Sequence, residues 1–393
     1  MLCARLGAAA ALLVLSAQSA LALNVGIGSS SALSRHASPV AATADAPLRV
    51  AVLGASGYTG AELTRLLLRH PEVSISVMTS ERYAGSSMSK IFAQFACAEA
   101  QLPTLCKLDE ADWSGIDLCF CCLPHATTQQ VVLTLPETMR IVDLSADFRI
   151  ADIPTYEEWY GTHYAPELQA DAVYGLTEFF REQVKDARLV ANPGCYPTAA
   201  QLSLVPLLEA GAISSQEIII DAKSGTSGAG RAPKEATLFC EVTDGMHAYG
   251  VGAHRHAPEI EQGLTLATKG DEPVLINFTP HLIPMSRGIF ESIYVRLSEG
   301  QTVETLTKVL RERYEDEPFV TVLDVGMVPQ TRHVRGSNHC IIGVAKDRLP
   351  GRAIVMAVID NLCKGASGQA VQNMNVMFGF PEDTAIEGVG AFP

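Results

Sequence analysis

The run LRVAVLGASGYTGAELTRLLLRHPEVSISVMTSER, Leu48 to Arg82, decides the fold class. A short apolar stretch is followed by glycines at 54, 57 and 60, then by a segment with Leu63, Leu66 and Leu67 on one helical face, then by a second apolar stretch from Val73 to Thr79. This is the pattern of one βαβ unit. The G-x-x-G-x-x-G spacing permits a tight turn and lets a phosphate approach backbone N–H groups at a helix N-terminus, where the helix dipole favours negative charge. Glycines so spaced also occur in plain structural turns, but their placement between strand and helix favours a dinucleotide site. The expected contacts are Gly54, Ser56, Gly57, Tyr58, Thr59 and Gly60. At the end of the second strand stand Thr79, Ser80, Glu81 and Arg82. A carboxylate there would suit a free ribose 2′-hydroxyl, and an arginine a 2′-phosphate; Arg82 with two hydroxyls favours NADP.

Outward from this unit, Ile116 to Leu123 reads as a strand, a helix follows from about Ala126, and Arg140 to Leu144 reads as another strand ending in SADFR. Such alternation implies a Rossmann-type, doubly wound, mostly parallel sheet, with chemistry at the strand C-termini. Pro124, His125, Ser145, Asp147 and Arg149 lie there. His125 is either functional or a cap ahead of the next helix. Beyond Cys195 the texture changes. EIIIDAKS, VLINFTPHLIP, FESIYVRLS and FVTVLDV alternate like strands of a large mixed sheet with few helices between them, which implies a second α/β domain. DNLCKGASGQAVQNMNVMFGF then returns to helical spacing and is expected to dock back on the first domain.

With 393 residues, 48% of them hydrophobic and 18% charged, the chain is long enough for two domains with cores of their own. Its net charge of −14 argues against electrostatic binding to nucleic acid or an anionic membrane, so an anionic substrate must be held by a few local cations. Ten cysteines are scattered without a disulfide framework, which suggests a reducing compartment. Cys119, Cys121 and Cys122 fall in the apolar run DLCFCCLP and read as packing, because no matching pair follows at zinc spacing. No metal site is expected.

Residues 1–47 are of another kind. Leu6 to Leu23 is uncharged, follows Arg5 and contains Ala20-Leu21-Ala22, a small-x-small cleavage pattern. The Ser- and Ala-rich stretch after it, with Arg35 and no acid before Asp45, has the composition of an organelle transit peptide. A bipartite presequence of this kind suggests import into a plastid, with a mitochondrion or secretion as alternatives. The remaining chain carries about −15, since the presequence removes a net +1. It holds no later stretch long enough to cross a bilayer, and no membrane contact is expected of the mature form.

The segment ANPGCYPTAA places Cys195 between a Pro-Gly turn and an apolar run. If a helix follows from Tyr196 to about Leu208, Cys195 stands in its first turn, where amide N–H groups and the helix dipole stabilise a thiolate. GVGAHRHAPEIEQ offers His254 and His256 as proton acceptors. Zinc binding through H-x-H would need further ligands, and none is evident. KSGTSGAGR, Lys223 to Arg231, is a loop whose amides, at Ser227 and Gly228 among others, can surround an anion, with Arg231 closing it; a flexible surface turn is the other reading. A nucleophilic thiolate, a histidine, anion loops and a nicotinamide site have one economical joint use: hydride transfer to an acyl group held as a thioester, with phosphate as leaving group.

Taken together, GASGYTGAEL, LPHATT, DLSADFR, ANPGCYPTAAQL, SGTSGAGR, HRHAPEI, FTPHLIPMSRGI and RGSNHC resemble the N-acetyl-gamma-glutamyl-phosphate reductases of arginine biosynthesis, in order through essentially all of residues 48–393. The resemblance implies a fold of the glyceraldehyde-phosphate and aspartate-semialdehyde dehydrogenase type. It divides the chain into a presequence (1–47), an NADP-binding domain (48–194 with 363–393) and a catalytic and dimerisation domain (195–362), in a homodimer or homotetramer. It implies NADPH as cofactor, a small acyl phosphate as substrate, Cys195 as nucleophile, His256 as acid/base and His254 as its substrate-binding neighbour. Arg149, Arg231, Arg255 and Ser145 become candidates for holding phosphate or carboxylate, and Asn373 for approaching the nicotinamide.

Two other readings stay open. One is a related acyl-phosphate reductase, acting on aspartyl phosphate or on a carrier-bound aminoadipyl phosphate. The PGCYPT context disfavours the first, and the acidic charge disfavours an acidic carrier. The other is an NADP-sensing regulator on a recycled dehydrogenase fold, against which Cys195 and both histidines speak.

Overall fold

The computed structural model describes residues 46–268 and 273–392. The expected presequence, apart from its last two residues, lies outside the described residues. The first half of the chain forms a six-stranded sheet from β1 (Leu48–Leu53), β2 (Val73–Met78), β3 (Leu118–Cys121), β4 (Arg140–Asp143), β5 (Ala172–Tyr174) and β6 (Leu189–Ala191). The spatial order is β2-β1-β3-β4-β6-β5, and every pairing is parallel. Strands covered on both faces read as continuous apolar runs, and LCFC of β3 is buried at all four positions, Cys119 and Cys121 included.

Because β1 has β2 on one side and β3 on the other, the sheet is wound outward from it in both directions, and a crevice opens at its C-terminal end. Gly54 stands there with φ +70°, and a Cβ on it would come 2.3 Å from the Cys122 carbonyl oxygen. Glycine is therefore the only residue that lets the chain turn away from β3 into the helix Tyr58–Leu67.

The second half forms a seven-stranded mixed sheet, β11-β12-β13-β10-β7-β9-β8. Its strands are β7 (Ile218–Gly225), β8 (His247–Ala248), β9 (Ile276–Ile283), β10 (Ile289–Arg296), β11 (Val320–Val322), β12 (Cys340–Lys346) and β13 (Arg352–Ile359). Alternation along β9 and β10 sends one set of side chains inward, Ile289 and Ile293 among them. The sheet is more helical in its connections than the sequence suggested, with Ala257–Ala267 and Val303–Arg313 lying between strands.

Against the inner face packs the helix Cys195–Glu209, in which every residue from Tyr196 to Leu208 is buried. A helix buried on all sides belongs in a core, with Thr198, Gln201 and Ser203 hydrogen-bonded and its leucines sharing one cluster with Ile220, Ala222, Ile293, Val355 and Ala357. A π-helical turn, Cys363–Ser367, leads into the last helix, Gly368–Phe378. That helix packs Ala370, Val371, Met374 and Met377 with Leu63, Leu66 and Leu67 on one face of the parallel sheet. No helix among the described residues is long and apolar enough to cross a membrane.

Candidate active site

Cys195 is the first residue of its helix, with Gly194 as the extended N-cap. No capping side chain serves this end, and Gly194 donates its own N–H to Glu259 Oε1 at 2.8 Å. The same oxygen accepts the Tyr174 hydroxyl at 2.8 Å, and Gln201 Nε2 donates to that hydroxyl at 2.9 Å. Glu259 Oε2 faces the Arg149 guanidinium at 3.5 Å. Arg149 is itself buried and donates through Nε to the Asn192 carbonyl and through Nη2 to the Leu144 carbonyl, both at 2.7 Å. One buried cation therefore links the ends of β4 and β6 to the helix Ala257–Ala267, immediately behind the cysteine.

Gly194 also marks where the histidine arrives. A Cβ at this position would meet His256 Nε2 at 2.7 Å, Arg149 Nη1 at 3.0 Å and Glu259 Oε2 at 3.0 Å. His256 caps the helix Ala257–Ala267, and its Nδ1 is buried without a hydrogen-bond partner among the described residues. The His254 and His256 rings lie edge to face at 4.9 Å, and each meets the Tyr196 ring edge-on, at 5.7 and 5.8 Å. His254 Nδ1 accepts the His256 N–H at 3.1 Å, which leaves its Nε2 as the protonated nitrogen in the neutral ring. Both imidazoles are held neutral. Burial, then His254, Arg149 and His125, keep His256 well below the ordinary histidine value, and burial with Arg255 brings His254 down to about 4.

The thiol departs from the expected ready-made thiolate. Burial pushes Cys195 up to about 12, although Arg149 and the Tyr196 N–H pull the other way. Without substrate the site thus rests as a neutral thiol beside a neutral imidazole. An ion pair formed beforehand would have to carry two charges into a poorly solvated space.

Of the expected cofactor residues, those of the first glycine turn, with Ser80 and Arg82, gather at the C-terminal ends of β1 and β2, whereas Ser227, Gly228 and Asn373 do not. Ser56 Oγ and Ser80 Oγ are 2.8 Å apart, and Tyr58 and Thr59 open the helix Tyr58–Leu67. Gly57 and Gly60 lie in the same turn, where the Ala61 N–H donates to the Gly57 carbonyl. Arg231 comes to this place and not to Cys195. Its Nη1 donates to the Ser56 carbonyl at 3.0 Å, and its guanidinium lies 4.5 Å from the Phe92 ring and 5.7 Å from the Tyr83 ring. Arg82 is exposed and stands 5.2 Å over the other partner of this group, Tyr83. In the second glycine loop, Ser227 donates its N–H to the Ser286 carbonyl and accepts from Asn361 Nδ2, while Gly228 lies beside Ser224.

The geometry gives several of the expected site residues protein partners of their own. Arg231 is held at the turn after β1 by the Ser56 carbonyl and the Phe92 ring. Ser145 is buried, with its N–H and hydroxyl both donated to Asp143 and its Oγ accepting the Asp147 N–H, so it shapes the turn after β4. Asn373 is an interior strut: its oxygen accepts from Thr177 and its amide donates to the Gly175 carbonyl and Asn192. Arg255 is exposed, and its guanidinium lies 5.5 Å over the Tyr160 ring. Sequence reasoning passed over Glu259 and Tyr174. The signal for Glu259 was its place three residues after His256, one helical turn on, with the same side chain reaching back to the Cys195 N-cap. No group of three or more acidic, cysteine or histidine side chains suited to a metal occurs among the described residues.

Residues 49–187 match the family model for the NAD binding domain of semialdehyde dehydrogenases, and residues 195–361 that for their dimerisation domain. The chain is 58% identical over 346 residues to an N-acetyl-gamma-glutamyl-phosphate reductase of Afipia carboxidovorans, covering 86% of this chain and 97% of that one. It is 55% identical over 347 residues to a protein of Arabidopsis thaliana described as a probable chloroplastic N-acetyl-gamma-glutamyl-phosphate reductase, covering 88% and 86%. In fold it is similar to an aspartate semialdehyde dehydrogenase of Vibrio cholerae, with a TM-score of 0.64 at 17% identity over 84% of this chain and 98% of that one. It is also similar to an aspartate semialdehyde dehydrogenase of Candida albicans solved with NADP, with a TM-score of 0.60 at 17% identity and the same coverage. A neutral cysteine at a helix start, two histidines beside it, a nucleotide crevice and identity above one half along most of its length agree: the chain belongs to the N-acetyl-gamma-glutamyl-phosphate reductases, oxidoreductases of the semialdehyde dehydrogenase fold.

Proposed function

We propose that Cys195 carries the acyl group of N-acetyl-gamma-glutamyl phosphate as a thioester and releases it as N-acetylglutamate 5-semialdehyde. The observation that carries this reading is the convergence of His256, Arg149 and Glu259 on Gly194, one residue from the thiol. Cys195 Sγ bonds to the acyl carbon as the C–O bond to phosphate breaks, and the thiol proton passes to neutral His256. The proton and the attack move together, which suits a thiol that burial holds near 12. When the C–S bond later breaks, His256 returns the proton to sulfur. Glu259 and Arg149 are the positioning residues. They fix the Gly194 N–H and supply one buried positive charge near the developing thiolate.

A nicotinamide dinucleotide, when bound, supplies the hydride that reduces the thioester. The Gly54 turn fits its phosphates. We infer NADPH over NADH, because Ser56, Ser80, Arg82 and Arg231 surround the end of β2, where a ribose 2′-phosphate would lie. Arg231 has two aromatic rings and a carbonyl as partners but no carboxylate among the described residues. Domains 48–194 with 363–393 and 195–362, a homodimer or homotetramer, and plastid import through residues 1–47 complete the reading. The chloroplastic descriptions of plant relatives and the match to a dimerisation-domain model support the last two.

The test uses purified residues 48–393, following NADPH formation from N-acetylglutamate semialdehyde, NADP and phosphate, with aspartate semialdehyde and NAD as controls. The expected result is phosphate-dependent turnover that vanishes in Cys195→Ser and falls in Arg231→Ala through the KM for NADP. Turnover with aspartate semialdehyde alone would overturn the substrate assignment.

A further inference from the structure

The loop after β3 presents a third histidine to the cleft in a fixed way. Ala126, next to it, takes φ +65°, a left-handed conformation that costs an alanine about 1–2 kcal/mol. Asp147, buried in the turn after β4, holds it there. Its Oδ1 accepts the Ala126 N–H at 2.6 Å, and its Oδ2 accepts the N–H groups of Thr128 at 2.9 Å and Gln129 at 3.3 Å. Gln129 Nε2 returns a bond to the Asp147 carbonyl at 2.9 Å. Strain kept in place by so many bonds is characteristic of a loop with a task.

That task is read from the imidazole of His125. Its Nδ1 accepts the Ala146 N–H at 2.9 Å, so the neutral ring carries its proton on Nε2. The residue is exposed, and Nε2 has no hydrogen-bond partner among the described residues. Although the residue has one face open to solvent, desolvation of the ring by the groups packed around it, then Arg149 and Arg255, lower it to about 4, so this N–H is a donor across the working pH range. The edge of His125 meets the Tyr160 ring at 5.8 Å, and Arg255 lies over that ring at 5.5 Å. Tyr160 is braced in turn: Tyr156 stacks on it at 5.2 Å, and its hydroxyl donates to the Arg255 carbonyl at 3.2 Å. Arg255 has no acidic partner among the described residues. A fixed neutral donor and an uncompensated guanidinium therefore share one aromatic post, and the charges acting on His125 are both positive. This is a built site for an oxyanion.

We propose that His125, through Nε2–H, and Arg255 hold the phosphoryl group of the acyl phosphate, and the free phosphate before it departs. The inference rests on the acyl-phosphate reading above and adds to it the place of the leaving group. Phosphate is favoured over the substrate carboxylate because it is the group that must be gripped while charge builds on it and then released; a neutral donor grips less tightly than an imidazolium would.

The experiment compares His125→Ala and His125→Gln in the reverse direction, varying phosphate, N-acetylglutamate semialdehyde and NADP separately. Glutamine keeps an N–H donor near the position of Nε2. The expected result for His125→Ala is a KM for phosphate raised about 10- to 100-fold, with the KM for semialdehyde and the dissociation constant for NADP within about 2-fold. His125→Gln restores most of the loss. A loss on semialdehyde would move His125 to the carboxylate, and equal loss on all three would make it structural; either overturns the proposal. Phosphate protection of Cys195 against iodoacetamide reads the same pocket without turnover. Protection weakened in His125→Ala supports it even if wild-type protein fails to use N-acetylglutamate semialdehyde, a failure that would fall on the substrate assignment instead. Unchanged protection overturns it.

Discussion

At Gly194 a hydrogen atom occupies space that a methyl group would contest with three side chains, at 2.7 Å from His256 Nε2 and 3.0 Å from both Arg149 Nη1 and Glu259 Oε2. None of these is free to swing away, since all three are buried or bonded on the far side. Gly194→Ala is therefore expected to lower kcat/KM by about 100-fold or more through misplacement, with NADP affinity unchanged, as measured by steady-state kinetics beside cofactor titration. The thiol offers a second check. With Cys195 held near 12 by burial, its alkylation by iodoacetamide in the absence of substrate should climb about tenfold per pH unit from 7 to 9. Arg149→Met should slow it further, because Arg149 is the main group opposing burial. A plateau reached by pH 7 would show a preformed thiolate and contradict the neutral resting state. That Cys195, His254 and His256 would come together was readable from sequence, because a thiol at a helix start and an H-x-H pair are chemically distinctive residue types. Their ionisation was not, because it depends on how completely the second sheet and the Ala257–Ala267 helix cover them.

The turn DLSADFR after β4 shows how an element can be charged for shape. Asp143 and Asp147 lie two turn positions either side of Ser145, both buried, and Asp143 takes the Ser145 N–H at 2.9 Å and its hydroxyl at 2.8 Å. Burial first, then the nearby Asp147, raise Asp143 to about 7, against the opposing pull of Ser145 and Arg149. Its folded value thus exceeds its unfolded value, so the folded state binds the extra proton between about 4 and 7. The corresponding stability is fully present below about 4 and is lost as pH rises through 7. Asp143→Asn removes that proton. Relative to wild type, its unfolding free energy in urea should improve by roughly 2–3 kcal/mol between pH 5 and pH 8; a difference that stays constant over that range would refute the assignment. Elements were legible where the period was clear: the βαβ unit, β3, β4 and the Cys195 helix stand within a few residues of expectation. β12 and β13 were missed because CIIGVAK and RAIVMAVI are short continuous apolar runs, which periodicity cannot tell from buried helix. Only their antiparallel pairing across the Asp347–Gly351 turn declares them strands.

At the scale of the whole molecule, the doubly wound sheet and the mixed sheet followed from alternation, but what ties them together did not, because its parts are far apart in sequence. Lys364, fully buried, bonds to Glu178 Oε1 at 2.5 Å and to Gln372 Oε1 at 2.8 Å. Gln372 also bonds to Asn338, just before β12, and to Glu382 beyond the last helix. Beside this, Arg181 holds Glu317 and Glu382 together, and Arg313 reaches the Glu178 carbonyl. The helix Thr177–Asp186, the approach to the mixed sheet and the C-terminal segment thus meet at one buried ion pair. Such a pair adds little over a well-packed apolar contact, yet removing one partner strands a charge in the interior. Lys364→Met should therefore cost about 3–5 kcal/mol in urea unfolding, since Glu178 Oε2 already lacks a partner and Oε1 would keep only Gln372. The double variant Lys364→Met with Glu178→Leu should recover most of that loss, because it removes the stranded carboxylate together with its cation. If the double variant is as unstable as the sum of the singles, no energy is coupled between Lys364 and Glu178, each side chain contributes through its other contacts, and the stranded-charge account of the single variant is overturned.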